Sequence, residues 1–217
     1  MKLFRFPYSC YALKAQCLLE LAGVRVEAQD VPYGDRSALV ELTGGYMHVP
    51  VLVDDAGSVH VDSRAISELI IAMAPRLVPA PLEGPVWAYA DWCDLVLEDS
   101  CFKLSAPGVR RSFPRAADRA LYALIKERKY GAGCVELWEQ SSAQWLERAR
   151  AALAPSARTL SQTPFLFGAE PTLADAALWG QVAMVRFAGF PPSALGDSLA
   201  SWAARLETVT AERRGQS

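Results

Sequence analysis

Three side chains that can lose or donate a proton follow one another near the start of the chain. Tyr8, Ser9 and Cys10 lie between a short β-prone run and a stretch with helical spacing, where a strand passes into a helix. The first backbone amides of a helix have no partner within it, and the helix dipole is positive there. A phenol, a hydroxyl and a thiol at this place are therefore suited to stabilising an anion.

Two further groups have the chemistry to bind a ligand. Val49-Pro50 stands at a strand start, where proline interrupts the pairing and leaves the Val49 backbone free for an extended ligand. Asp62-Ser63 opens a second helix, and the Ser63 hydroxyl with unpaired amides there can hold a carboxylate. His48 directly precedes the Val49-Pro50 pair.

The first 76 residues predict a small α/β domain that positions these groups. Strands are predicted over 3–6, 24–31, 49–53 and 59–61, where β-prone residues cluster or alternate. Apolar residues three and four apart predict helices from Leu13 to Gly23, around 37–42 and from Ser63 to Met73, the last capped by Ser63. The element order is βαβαββα.

Beyond residue 76 the pattern is helical. Four prolines from Pro75 to Pro85 indicate a linker over 77–85. Helices are predicted over about 86–104, 115–129, 134–154, 173–188 and 197–212. Thr172 and Asp175 predict a capping box at the start of one of them. We therefore predict an α/β domain over 1–76 followed by an all-helical domain over 86–217.

The composition excludes several classes of protein. The chain has 217 residues, 52% of them apolar, and its formal charge of −2 provides no basic field for nucleic acid or anionic lipid. No apolar run reaches the roughly 20 residues of a membrane-spanning helix, and the N-terminus does not resemble a signal peptide. Five cysteines without a CxxC pair favour reduced thiols and a cytoplasmic location. His48 and His60 lack companion ligands, so we predict no metal site.

The order of the motifs resembles that of cytosolic glutathione transferases, and of serine-type, bacterial-looking members in particular. Residues 9–15, Ser-Cys-Tyr-Ala-Leu-Lys-Ala, are similar to the Ser-Pro-x-x-x-Arg/Lys-Val run of those members, and 17–20, Cys-Leu-Leu-Glu, to the helix after it. Residues 49–52 are similar to the cis-proline loop, and 62–66 to the Glu/Gln-Ser-x-x-Ile stretch. The capping box within 167–177 resembles the folding signature of the helical domain.

The resemblance implies a thioredoxin-like domain that binds glutathione as cosubstrate, with no other cofactor. The Ser9 hydroxyl would donate to the glutathione sulfur, and the Val49 backbone, before a cis Pro50, would pair with the cysteinyl backbone. Asp62 and Ser63 would hold the γ-glutamyl end.

The remaining implications concern the rest of the ligand site and the assembly. His48 would lie near the glycyl carboxylate of glutathione. The helical domain would form a pocket for a small apolar electrophile, with tryptophans near Asp91, Leu95 and Glu98 in its wall, and the protein would be a homodimer. The basic run 126–130 is interpreted as a solvated helix end.

Three residues remain open as the one that activates or carries the thiol. Ser9 ranks first because its spacing to Lys14 fits the serine-type pattern best. Cys10 ranks second, because it replaces the usual proline and other branches of the family use a cysteine near this place for thiol exchange. Tyr8 ranks third. Besides conjugation, the chain could therefore be a glutathione-dependent thiol transferase acting through Cys10, or a non-catalytic binding module with the same fold.

Overall fold

The computed structural model describes residues 1–215, and its first part is a four-stranded mixed sheet with three helices. The strands, in the spatial order β2-β1-β3-β4, are β1 (Lys2–Arg5), β2 (Glu27–Asp30), β3 (Val51–Val53) and β4 (Val59–Val61). The helices are α1 (Cys10–Ala22), α2 (Ser37–Thr43) and α3 (Ser63–Met73). β1 is parallel to β2 and antiparallel to β3, which pairs antiparallel with β4. The βαβαββα order is as predicted.

The central strands β1 and β3 contribute side chains to a buried cluster on each face of the sheet, since successive side chains of a strand point to opposite sides. Leu3 and its cross-strand partner Leu52 belong to a cluster with Leu18 of α1 and Ile70 of α3. The neighbouring residue of β3, Val51, belongs to a second cluster with α2 and with aromatic residues of the helical part. The sheet therefore separates α1 and α3 from α2.

The second strand is shorter and more exposed than predicted. A half-buried strand was expected over 24–31, whereas β2 covers only Glu27–Asp30, and all four residues are exposed. It is an edge strand that pairs only with β1. Val24 and Val26 pack on the main core before the strand begins, and Val31 packs on the second cluster after it ends.

Helix α3 is capped by Asp62 and not, as predicted, by Ser63. The Asp62 carboxylate accepts hydrogen bonds from the amides of Arg64 and Ala65 at 2.8 and 3.2 Å. Because a carboxylate oxygen can serve two amides and carries a charge that suits the helix dipole, it takes the cap position. Asp62 has φ of 73°, a left-handed conformation that costs a non-glycine residue about 1–3 kcal/mol.

The rest of the described chain is helical, as predicted. Short 3₁₀ turns at Pro75–Leu77 and Ala80–Leu82 lead into it. The helices are α4 (Glu83–Trp92), α5 (Glu98–Ser112), α6 (Ala116–Tyr130), α7 (Cys134–Gln140), α8 (Ser142–Leu160), α9 (Leu173–Phe187) and α10 (Asp197–Gly215). Residues 216–217 of the predicted helical domain lie outside the described residues.

Two predicted helices have different bounds. The one expected over 86–104 begins at Glu83 and continues through a π-helical turn, Cys93–Leu97, to Ser112, since Val109 extends its buried face. The one expected over 134–154 is divided at Ser141 into α7 and α8. Helix α8 then runs past Pro155 because its buried face continues to Leu160.

The first turn of α1 is held by the helical part as well as by the sheet. A Cβ at Gly180 of α9 would come within 2.3 Å of the Cys10 carbonyl oxygen, an approach that only glycine permits. Lys14 of α1 forms an ion pair with Asp94 of the π-helical turn, and both side chains are largely buried. These contacts fix the helix start that carries Ser9.

The capping box predicted at the start of α9 is present. The fully buried Asp175 carboxylate accepts from the Thr172 amide at 2.9 Å and from the Thr172 hydroxyl at 3.1 Å. It also accepts from the Leu166 amide at 3.1 Å and from the Trp202 indole at 3.0 Å. One carboxylate therefore joins α9, α10 and the segment before α9.

Among residues 1–215 no single helix is both long and apolar enough to cross a membrane. The segments Ser63–Met73 and Pro75–Ser112, which meet at a bend of 119°, reach that length and apolarity only as a pair. The five cysteines are all buried and unpaired in this part of the chain.

Candidate functional site

A cavity of about 780 Å³ opens between the start of α1, the loops around α2, and the helices α5 and α6. Five of the predicted site residues line it: Tyr8, Ser9, Cys10, His48 and Val49. The opposite wall is formed by the helical part, chiefly by Glu98, Phe102, Ser105, Val109, Tyr122 and Lys126. The structure therefore brings the start of α1 and the segment before Pro50 to one cavity.

Ser9 is the N-cap of α1. Its hydroxyl oxygen accepts from the Ala12 amide at 3.4 Å, and its own amide donates to the Phe6 carbonyl at 3.0 Å. Within residues 1–215 the Ser9 hydroxyl donates to no other group, so its hydrogen is available to a ligand. The hydroxyl thus combines a free donor with the positive end of a helix.

Cys10 is enclosed, although it belongs to the cavity wall. Only 4% of the residue is exposed, and this burial raises the pKa of its thiol well above the ordinary value. The carboxylates of Glu98 and Asp94 raise the pKa further, and Lys14 opposes them only in part. In this arrangement Cys10 stays a protonated thiol, which is a weak nucleophile.

Tyr8 presents a different case, because its hydroxyl is buried and has no hydrogen-bond partner among residues 1–215. Its ring stacks on Phe6, with centroids 5.5 Å apart, and meets Phe113 edge-on at 5.6 Å. Burial, followed by the neighbouring Tyr33, raises the pKa of the phenol. Tyr8 therefore remains a neutral donor.

The Val49-Pro50 peptide bond is cis, as the resemblance implies. Val49 precedes β3 and lies outside its ladder, so its backbone can face the cavity, whereas Pro50 is buried. His48 is exposed, and its ring lies edge-on to Tyr46 with centroids 5.5 Å apart.

Asp62 and Ser63 lie at the start of α3, and neither belongs to the cavity wall. The Asp62 carboxylate is occupied by the helix cap described above. The Ser63 hydroxyl forms no hydrogen bond with the described residues, so it stays available to a ligand that extends beyond the cavity.

The sequence did not reveal the charged groups of the opposite wall. Lys126, interpreted as part of a solvated helix end, lines the cavity, and burial lowers its pKa to about 8. Its ammonium lies 4.8 Å from the Tyr122 ring centroid and 4.9 Å from that of Phe102. Burial also raises the pKa of Glu98 in the same wall. The regular spacing of apolar residues in α6 is the one signal that could have placed Lys126 beside Tyr122.

The aromatic part of the wall also differs from the prediction. The cavity is lined by phenylalanine and tyrosine side chains, and no tryptophan of the described chain is among its lining residues. Arg36, which directly precedes α2 in the sheet domain, also lines the cavity, with its guanidinium 5.0 Å from the Phe6 ring centroid, and it donates to the Met47 carbonyl at 2.9 Å. Of the three residues expected beside the tryptophans, only Glu98 reaches the cavity.

Sequence models of known families match both parts of the chain. The model described as glutathione S-transferase, N-terminal domain, matches residues 3–77, and the model described as glutathione S-transferase, C-terminal domain, matches residues 139–211. Together they cover more than half of the chain. The protein belongs to the glutathione S-transferase family. A search of curated proteins found no match.

Solved structures show the same fold at low sequence identity. A glutathione S-transferase from Ceriporiopsis subvermispora, in complex with glutathione, has a TM-score of 0.81 and 17% identity, with 96% of each chain covered. Glutaredoxin 2 from Salmonella typhimurium, also in complex with glutathione, has a TM-score of 0.73 and 17% identity, over 97% of this chain and 94% of that one. A glutathione S-transferase from Rhodospirillum rubrum has a TM-score of 0.66 and 21% identity, over 94% and 86%.

Proposed function

We propose that this protein conjugates the sulfur of glutathione to small, largely apolar electrophiles. The observation that supports this most directly is the Ser9 hydroxyl, which has a free hydrogen, stands at the start of α1 and lines a cavity large enough for two small molecules. The family membership and the Val49 backbone beside the same cavity agree with it.

The chemical task is to keep the glutathione sulfur ionised. A free thiol with a pKa of about 8.5 is only roughly 3% ionised at pH 7, and lowering the pKa by two units takes about 2.7 kcal/mol. A hydrogen bond to a charged acceptor contributes about 1.5–3 kcal/mol, and a helix N-terminus about 0.3–1 kcal/mol. Together the Ser9 hydroxyl and the start of α1 would contribute about 1.8–4 kcal/mol, a range that includes the 2.7 kcal/mol required.

Glutathione would extend from Ser9 across the end of the sheet at which β1 ends and β3 begins. The Val49 backbone would pair with the cysteinyl backbone, and His48 would meet the glycyl carboxylate. The γ-glutamyl end would reach Ser63 and Asp62, which lie outside the cavity. The cavity beyond the sulfur then holds the electrophile against α5 and α6, and bringing both reactants together lowers the barrier to substitution or addition.

Thiol exchange through Cys10 is less well supported. The thiol is enclosed, and its raised pKa disfavours the thiolate that such an exchange needs. We therefore expect Cys10→Ser to retain conjugation.

The test compares two variants that both remove the Ser9 hydroxyl. Glycine caps a helix almost as well as serine, whereas alanine costs about 1 kcal/mol of stability. Ser9→Gly and Ser9→Ala should therefore raise the pKa of bound glutathione equally, by roughly 1–2 units, while only Ser9→Ala lowers the melting temperature. The readouts are calorimetric titration with glutathione and ultraviolet absorbance of the bound thiolate.

Conjugate formation on a panel of electrophiles completes the experiment, and Ser9→Thr, which keeps the hydroxyl, serves as the matched control. If glutathione does not bind to the wild-type protein, or if Ser9→Gly ionises the bound sulfur as well as wild type does, the proposal is wrong.

The resemblance also leads us to propose a cytoplasmic homodimer with domains over 1–76 and 86–217 joined by a linker over 77–85. Sedimentation at the monomer mass of 23.6 kDa would contradict the dimer.

A further inference from the structure

Lys126 places an amine in the cavity wall, and the proposed conjugation does not use it. The residue is half-buried and lines the cavity. Its Nζ lies 4.8 Å from the centroid of the Tyr122 ring and 4.9 Å from that of the Phe102 ring. Aromatic side chains from α5 and α6 therefore hold this amine at the cavity wall.

The surroundings of Lys126 decide how much of the amine is uncharged. Burial lowers its pKa to about 8. The Glu98 carboxylate and, less strongly, Cys134 oppose that shift, whereas the cations of Lys129 and Arg36 add to it. At pH 7.5 about a quarter of the amine is then uncharged, compared with about 0.1% for an exposed lysine with a pKa of about 10.4. Since only the uncharged amine has a free electron pair, Lys126 can act as a nucleophile near neutral pH.

The other four lysines of the sequence do not share this environment. All five lie within residues 1–215, and only Lys126 is among the residues that line the cavity. Three of the others are held in ion pairs: Lys2 with Glu27, Lys14 with Asp94, and Lys103 with Asp99. Lys129 is exposed, and a hydrogen bond with Tyr130 raises its pKa. A compound that enters the cavity therefore meets a single lysine amine.

Glu98 connects Lys126 to the part of the cavity where the glutathione sulfur would lie. Burial, followed by the Glu98 carboxylate, raises the pKa of the Cys10 thiol, and the same carboxylate acts on the Lys126 amine. Because charge interactions weaken with distance, Glu98 lies near both groups. Ser9, the proposed partner of the sulfur, directly precedes Cys10 and lines the same cavity. A group attached to that sulfur would therefore extend toward the wall that contains Lys126.

We propose that acyl thioesters of glutathione acylate Lys126, which makes this lysine a modification site inside the cavity. The inference rests on the proposed function, because it needs glutathione to bind beside Ser9. In such a thioester the carbonyl carbon is bonded directly to the sulfur, so it would enter the cavity ahead of the rest of the acyl group. The apolar and aromatic side chains of α5 and α6 suit an alkyl or aryl acyl group.

The reaction is the transfer of an acyl group from sulfur to nitrogen. The uncharged Lys126 amine attacks the carbonyl carbon, a C–N bond forms, and the C–S bond breaks. Glutathione leaves as its thiolate, which the Ser9 hydroxyl would stabilise, and the nitrogen loses one proton to water. One thioester and one lysine give one amide, one glutathione thiolate and one proton, so no oxidant or reductant is needed. The amide has lost the charge of Lys126 and occupies space that the electrophile would use.

The first experiment compares two acyl donors at equal concentration and pH 7.5. S-acetylglutathione and S-acetyl-N-acetylcysteamine contain the same thioester, but only the first has the γ-glutamyl and glycyl parts. S-acetylglutathione should acetylate Lys126 at least about tenfold faster than the other donor does, and at least about tenfold faster than it acetylates Lys129. Peptide mass spectrometry measures both sites. S-methylglutathione, which has no acyl group to transfer, should slow the reaction at Lys126 and not at Lys129.

The second experiment measures what acylation does to conjugation. Treatment with S-benzoylglutathione should lower the conjugation rate of wild type in proportion to the fraction of Lys126 that is benzoylated. Lys126→Arg is the matched variant, because it keeps a positive charge and cannot be acylated under these conditions. Its conjugation rate, whatever it is before treatment, should be the same afterwards. Melting temperatures verify that each protein is folded.

The outcomes separate this inference from the proposed function. If Lys126 is acetylated no faster than Lys129, or equally fast by both donors, the inference is overturned, even where electrophiles are conjugated. An unchanged conjugation rate after full benzoylation overturns the claim that the acyl group occupies the space of the electrophile. Selective acetylation of Lys126 by S-acetylglutathione, without any conjugate from the electrophile panel, supports the modification site and refutes the conjugation proposal.

Discussion

Replacement of Asp175 tests how much the fold depends on one buried carboxylate. Each carboxylate oxygen accepts two hydrogen bonds: one from Leu166 and Trp202, the other from the amide and the hydroxyl of Thr172. Alanine would leave all four donors buried without an acceptor. At about 1–3 kcal/mol for each, the loss is at least about 4 kcal/mol, a large part of the 5–15 kcal/mol that stabilises a typical domain.

Asparagine should be less harmful than alanine. Its amide oxygen still accepts two of the four hydrogen bonds, and the Thr172 hydroxyl can turn to accept from the new NH₂ group. One backbone or indole donor then remains unpaired, so we expect Asp175→Asn to lose about 1–3 kcal/mol. The graded order follows from the number of donors that lose their acceptor.

The assay is equilibrium unfolding in urea, followed by tryptophan fluorescence and circular dichroism. Asp197→Ala is the matched control, because Asp197 lies in the first turn of α10 and should contribute at most about 1 kcal/mol through the helix dipole. The reasoning is refuted if Asp175→Ala loses less than about 2 kcal/mol, or if Asp175→Asn is as unstable as Asp175→Ala.

Two further predictions concern the cavity. Gly180→Ala places a Cβ within 2.3 Å of the Cys10 carbonyl oxygen, so it should lower the melting temperature and weaken glutathione binding by displacing the start of α1, and unchanged binding would contradict that coupling. Because burial lowers the pKa of Lys126 to about 8, its side chain loses its charge as pH rises through that value, and acylation of Lys126 by an amine reagent should rise over the same range. Lys126→Met should show no such step. The ionisable groups that face Lys126 are Glu98, Lys129, Arg36 and Cys134.

The cavity residues of the sheet domain, at the start of α1 and before Pro50, could be predicted because their signals in the sequence are local. A serine at a strand-to-helix junction favours an N-cap, and a proline at the start of a strand indicates an interrupted ladder. Neither signal depends on contacts with residues that are distant in the sequence. Ser9 and Val49 therefore lie where they were expected. The cap of α3 is also a local feature, but it was predicted as Ser63 and is Asp62. The difference depends on the left-handed backbone at Asp62, which the sequence does not indicate.

The opposite wall could not be predicted, because its properties arise from packing between distant segments. Lys126 stands in a run of charged residues, a pattern that normally marks a solvated face. It lines the cavity because Tyr122 and Phe102, from two different helices, lie against its side chain. The same holds for Ser105, a buried serine of α5 whose hydroxyl has no hydrogen-bond partner among residues 1–215.

This division suggests how the two halves of the reaction are coupled. In the proposed reaction the sheet domain would place the hydroxyl that stabilises the sulfur, and α5 and α6 would form the wall that meets the electrophile. The close approach of α9 to α1 at Gly180 and the ion pair of Lys14 with Asp94 hold these two parts of the cavity together. Substitutions in α5 and α6 should therefore change the choice of electrophile and leave glutathione ionisation intact, whereas substitutions at the α1–α9 contact should impair both.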